Sequence, residues 1–108
     1  MNTVNDYIGK AIDLATGVDY ATGSVVSKTI LDKKTGTLTL FAFDKGQGLS
    51  EHTSPYDATV QIVDGTAELT VGGVSHLVKA GQLFIMPATI PHSLKAVERF
   101  KMLLVMIR

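Results

Sequence analysis

Along most of the chain apolar positions alternate with polar ones, in short runs bounded by turn residues. The first stretch is the exception. Asn5-Asp6 precedes Ile8, Ala11, Ile12 and Ala15, spaced i, i+3, i+4, i+7. A cap donor before that spacing predicts a short N-terminal helix of about two turns. Gly9 and Thr16-Gly17 keep it brief, and it would lay Ile8 and Ile12 over one end of the strands that follow.

From Ser24 the period changes. Ser24–Leu31 and Thr37–Phe43 are rich in Val, Ile, Thr, Leu and Phe, with Lys33-Lys34-Thr35-Gly36 between them, which predicts a hairpin. Asp44–Glu51 reads as a loop leading to His52. Further strands are predicted at Ala58–Val63, Ala67–Val71, Val74–Val78, Leu83–Met86, His92–Lys95 and Arg99–Ile107. Asp64-Gly65 and Gly72-Gly73 supply turns that tolerate positive φ. Short strands at regular spacing predict an all-β sandwich or barrel. Residues 1–22 form the lead-in with its helix and 23–108 a single β domain. Leu38, Leu40 and Ala42 alternate with Thr37, Thr39, Phe41 and Phe43, so both faces of that arm are expected to be covered. The tail has six consecutive apolar residues, Met102 to Ile107, and one barrel interior can bury only half of them. A homodimer that covers the other half is the expectation.

Two stretches carry the candidate chemistry: Gly46–Gly65, with His52, and Gly81–Ala96, with His92. They resemble the paired motifs of the cupin superfamily, G-x5-H-x-H-x3-E-x6-G and G-x5-P-x-G-x2-H-x3-N. Gly46, His52 and Gly65 fall on the first without a gap, and Gly81, Pro87 and His92 on the second. The departures are Ser54 for the second His, Ala58 for the Glu, Thr89 for a Gly and Ala96 for the Asn. The resemblance implies a cupin-type antiparallel β-barrel (a double-stranded β-helix or jelly roll) with His52 and His92 converging inside it. It also implies a ligand pocket that includes Ser54 and Ala58. Phe41 and Phe43 are candidates for its wall, with plain core packing the other role open to them.

In metal-binding cupins those motifs supply three histidines and a glutamate, so the resemblance makes His52 and His92 candidate ligands for a divalent Fe, Mn, Ni or Zn ion. The nearby acids that could supply a third donor are Asp57, beside the vacated Glu slot, and Glu51, beside His52; strict strand alternation sends both to the opposite face, and Asp57 is the better candidate because Pro55-Tyr56 can break the phase before it. Four-ligand zinc sites are worth about 10–16 kcal/mol, so two ligands supply crudely ~5–8 kcal/mol. That corresponds to affinities between about 0.2 mM and 1 μM. A bare pair would need Asp57, water or substrate to complete it. Gln61 is expected to meet a neighbouring strand or subunit, and His76 to lie at the surface of a strand. Met86, Met102 and Met106 read as flexible core filler. Ser54 and Thr89 are candidate hydrogen-bond donors to a ligand.

Composition narrows the rest. Ten basic residues balance ten acidic ones with no basic block, which leaves nucleic-acid binding without electrostatic support. With no Cys there is no disulfide framework, thiol nucleophile or Cys-ligated zinc. No apolar run approaches a membrane span and the N-terminus lacks signal architecture, so a cytoplasmic protein is expected. No serine stands in a triad-like setting. The leading expectation is a small cupin barrel that binds a small molecule. The alternatives are a metal-dependent enzyme of the dioxygenase, isomerase or sugar-modifying type, and a non-catalytic sensory or structural dimer.

Overall fold

A computed structural model describes residues 6–108, and these form eight antiparallel strands. They are β1 (Val25–Lys33), β2 (Gly36–Phe43), β3 (Gly48–His52), β4 (Ala58–Val71), β5 (Val74–Lys79), β6 (Leu83–Met86), β7 (His92–Lys95) and β8 (Phe100–Ile107). The strand β3, read from the sequence as loop, pairs with β7. Gly72 and Gly73, with φ of 57° and 81°, form the two-residue loop between β4 and β5; positive φ at both positions suits the twist of a hairpin.

The strand that organises the rest is β4. Its first half pairs with β8 and β6, its second with β5 and β7. Two sheets therefore share one strand, β1-β2-β8-β4-β6 and β3-β7-β4-β5. Asp64-Gly65 is not the hairpin turn that the sequence suggests but a bend within β4. The register slips between Ile62 and Asp64, and the buried positions change phase from Ala58, Val60 and Ile62 to Ala67 and Leu69. One extra residue moves side chains to the other face, so both halves of β4 point into the same interior. There Ile62, Leu69, Phe43, Phe100 and Met102 are wholly or almost wholly buried, with Phe43 stacked on Phe100 at 4.5 Å.

The expected N-terminal helix is absent among the described residues; its proposed cap, Asn5, lies outside them. Gly9 has a φ of 80°, and Lys10 N–H closes a single turn on the Tyr7 carbonyl. The carbonyls of Ala15 and Gly17 accept from Lys101 and Lys28 of the barrel instead of from a following helical turn. Ile8 stays exposed, while Tyr7, Ile12, Leu14, Val18 and Tyr20 pack as an irregular strap of turns on Ile30, Leu40 and Ala42. The strap also covers Leu103, so part of the tail's second apolar face is buried by the chain itself.

Tyr20 anchors the strap. Its hydroxyl donates to Asp64 Oδ2 at 2.6 Å, and Arg99 and Lys101 lie over its ring at 4.3 and 4.7 Å. Burial first, then the hydrogen bond to Asp64, holds the phenol well above the ordinary tyrosine value.

Candidate functional site

The two imidazoles meet through strand pairing, not through any local motif. In the β3–β7 ladder His52 stands directly opposite His92, and cross-strand partners share a face. Their ring centroids are 4.4 Å apart at an interplanar angle of 70°. His92 is 2% exposed, whereas His52 is open to solvent. Each ring is oriented by a carbonyl two residues earlier: His52 Nδ1 lies 2.6 Å from Ser50 O and His92 Nδ1 lies 3.1 Å from Ile90 O. A carbonyl oxygen only accepts, so Nδ1 is the donor in each contact, and in the neutral imidazole Nε2 is then the acceptor. No side-chain nitrogen or oxygen among the described residues is both sealed and unpartnered. His92 Nε2 has no partner among the described residues and therefore opens onto the space beside it.

That space is a cavity of about 180 Å³. His52, His92, Leu49, Leu94 and Ser54 form one side, and Ala58, Met86, Met102, Leu104 and Met106 line it from β4, β6 and β8. The loops at the mouth are tied together: Thr89 N–H donates to Ser54 O and Ala88 N–H to Asp57 Oδ1, both at 2.8 Å. Ser54 Oγ accepts from Tyr56 N–H at 3.1 Å, which leaves its own proton free to donate. Thr89, in the slot of a motif glycine, has a φ of 67° and is the one non-glycine with positive φ among the described residues. Its hydroxyl donates to the neighbouring Ala88 carbonyl at 2.6 Å. A wider groove of about 710 Å³ runs along β3 and β7, lined in part by Gln47, Ser50, Glu51 and Lys95, but it presents neither imidazole.

Of the residues singled out from sequence, His52, His92, Ser54 and Ala58 line this cavity. Phe41 and Phe43 do not: Phe43 is buried in the main core and Phe41 stacks on it at 5.8 Å. Asp57 is not brought to the imidazoles; its carboxylate is held by the Ala88 amide. His76 is half-buried against the Phe84 ring, at 4.8 Å. The methionines read as filler are part of the lining. Alternation on β8, with Met102, Leu104 and Met106 on one face, was the signal that could have found them.

A hard divalent ion fits poorly here. Among the described residues no three of His, Cys, Asp and Glu are placed to share a metal. The four positions that would carry nitrogen and carboxylate donors carry His52, Ser54, Ala58 and His92, and a hydroxyl and a methyl group are weak substitutes.

Residues 39–107 match the cupin domain family. A conserved protein of unknown function from Streptococcus pyogenes is 41% identical, with a TM-score of 0.87, over 93% of this chain and 88% of its own. A cupin 2 conserved barrel domain protein from Leptotrichia buccalis is 39% identical with a TM-score of 0.87; the match covers 90% of this chain but 47% of that one. A cupin superfamily protein from Desulfitobacterium hafniense, 23% identical, has the same fold at a TM-score of 0.86, over 92% and 91% of the two chains. No curated relative matches the chain. No helix among the described residues is long and apolar enough to cross a membrane.

Proposed function

This chain belongs to the cupin domain family, and from that premise we propose that it is a binding barrel for a small organic molecule held beside His52 and His92. The observation that carries the reading is the buried His92, with Nδ1 donating to the Ile90 carbonyl, beside a cavity whose other lining is apolar except for His52 and Ser54. An apolar cavity of roughly 150 Å³ takes a benzene-sized guest, so the cavity of about 180 Å³ suits a ligand of similar size. The ligand would have an apolar body and one hydroxyl, amine or amide N–H to donate to an imidazole. Specificity would come from that donor, because a site built to bond it leaves a buried acceptor unpaired when the donor is missing.

Titration calorimetry with phenol and toluene tests this. Phenol is expected to bind roughly tenfold tighter than toluene, and the preference is expected to vanish in His92→Ala. Equal binding of the two, or a preference untouched by His92→Ala, would remove the proposed role of the pair.

The protein's partner in this reading is a second copy of itself. Leu83 and Ile85 of β6 are 56% and 55% exposed, and they lie in register with Gln61 and Thr59, next to Leu103 and Val105 of β8. The strap covers Leu103 but not the exposed Leu83 and Ile85, and that exposed edge suits sheet-on-sheet dimerisation.

A further inference from the structure

We infer that the guest of this cavity is a small organic hydroperoxide, and that Met106 is oxidised by it to the sulfoxide. The inference rests on the reading of the cavity as a binding site and names the class of molecule bound. An alkyl hydroperoxide is an apolar body with one O–H, which matches an apolar lining beside an imidazole acceptor. What sets it apart from an alcohol or a phenol is the second kind of partner in the lining. Three of the chain's four methionines, Met86, Met102 and Met106, meet at this one cavity. A thioether is the apolar side chain that a peroxide converts to a polar one.

Met106 is the one of the three with room to take an oxygen. Met86 and Met102 are 2% and 1% exposed and belong to the main core. Met106 is half-buried, and it also lines a second crevice of about 190 Å³ at the ends of β1, β2 and β8. Its partner on β4 is Ala58, and cross-strand partners share a face. A methyl group there leaves the flexible thioether space to turn and its product space for the added atom.

The step balances with no further reagent. The sulfur lone pair attacks the terminal oxygen of the hydroperoxide, an S–O bond forms as the O–O bond breaks, and the hydroxyl proton passes to the departing oxygen. The thioether is oxidised to the sulfoxide and the hydroperoxide is reduced to its alcohol. His92 contributes by accepting the O–H, which holds the O–O bond within the lining and not in the solvent outside. The sulfoxide oxygen then disfavours a purely apolar guest, because burying it without a partner costs free energy.

The test treats full-length protein with tert-butyl hydroperoxide or hydrogen peroxide, oxidising free methionine alongside as the reference, and reads oxygen uptake at each methionine by peptide mass mapping. Relative to free methionine, tert-butyl hydroperoxide is expected to oxidise Met106 roughly tenfold or more faster than hydrogen peroxide does. Met86 and Met102 are expected to follow behind. The rate at Met106 should saturate with tert-butyl hydroperoxide and fall when phenol is added, and His92→Ala should remove the advantage over hydrogen peroxide. Met106→Leu, which keeps volume and apolarity, should bind phenol as the wild type does and show no fast phase of oxidation. Equal relative rates for the two oxidants, or oxidation that phenol does not slow, would overturn the hydroperoxide as guest. Oxidation of Met86 or Met102 ahead of Met106 would overturn the assignment of the sulfur. The phenol preference over toluene is read in parallel. If it persists while the hydroperoxide advantage fails, only the oxidation is lost; if both fail, the proposed binding function falls as well.

Discussion

Gly65 offers the sharpest test of how the site is built, because it sits at the bend that lets β4 serve both sheets. It has a φ of 72°, and a Cβ there would run into the carbonyl oxygen of Arg99, the residue just before β8. Gly81 makes the control, with a φ of 90° and open space where a Cβ would go. In each, alanine incurs a left-handed strain of about 1–2 kcal/mol, less ~0.4–1 kcal/mol recovered from a stiffer unfolded chain. Gly81→Ala should thus cost about 1 kcal/mol. At Gly65 the clash adds to this. Gly65 is paired with Phe100, whose fully buried ring stacks on Phe43. Opening that rung forfeits about one backbone hydrogen bond, ~1 kcal/mol, and part of the ~1.5–3 kcal/mol for burying Phe100. Gly65→Ala should therefore cost about 3 kcal/mol, a large share of the ~5–15 kcal/mol typical of a domain. Urea unfolding followed by circular dichroism reads both variants. With a slope of roughly 1–2 kcal/mol per molar, the Gly65→Ala midpoint should fall by about 2 M and the Gly81→Ala midpoint by less than half as much. Equal midpoints for the two variants would refute the claim that close approach to Arg99, and not backbone angle alone, requires glycine at this bend.

Three further expectations follow from the strap, the mouth and the outer sheet. Tyr20→Phe removes the hydrogen bond to Asp64 and should cost about 1 kcal/mol, near the low end for a charged acceptor because Asp64 faces solvent. Because the folded phenol is held above its ordinary value, the native state keeps its proton longer than the unfolded chain does. That contribution is intact at neutral pH and is lost as pH rises past about 10; unfolding monitored from pH 8 to 11 should show a steeper alkaline decline in wild type than in Tyr20→Phe. Thr89→Gly relieves left-handed strain at the cost of chain flexibility and an exposed hydrogen bond, and should raise the melting temperature by about 2–4 °C; a fall would place the hydroxyl's bond to Ala88 above the strain. Sedimentation at micromolar concentration should show a dimer that Ile85→Lys converts to monomer, and a wild-type monomer would dismiss the outer strip as an interface.

The all-β architecture was legible from sequence because strand period and turn residues are local, and four residues of the cavity were legible through the spacing shared with the cupin motifs. Strands β6 and β7 were placed at their observed ends by Gly81, the proline-bounded stretch and β-type runs. What stayed hidden depended on long-range pairing. β3 has few apolar residues and a polar run through Ser50 and Glu51, so nothing in its pattern separates it from a loop until β7 lies beside it. The strap has helical spacing, but its carbonyls find lysines on β1 and β8, which no local period reveals. The bend at Asp64-Gly65 carries the residues of a hairpin turn, and only the partners on each side of it show one strand where two were expected. The same holds for the methionines, whose meeting with the histidines is a matter of which strands face each other.

His52 belongs to the outermost strand of its sheet, five residues joined on one side only, to β7, through a ladder interrupted between Leu49 and His52. Marginal strands detach at lower free energy than the body of a domain. Detachment of β3 would carry one imidazole away and leave the other in place, so the site exists only in the docked fraction of molecules, and apparent affinity scales with that fraction. Whatever bridges the two rings thereby acts as a clasp, and its arrival should be visible as slowed amide exchange from Gly48 to His52 while the exchange of β2 and β8 stays as it was.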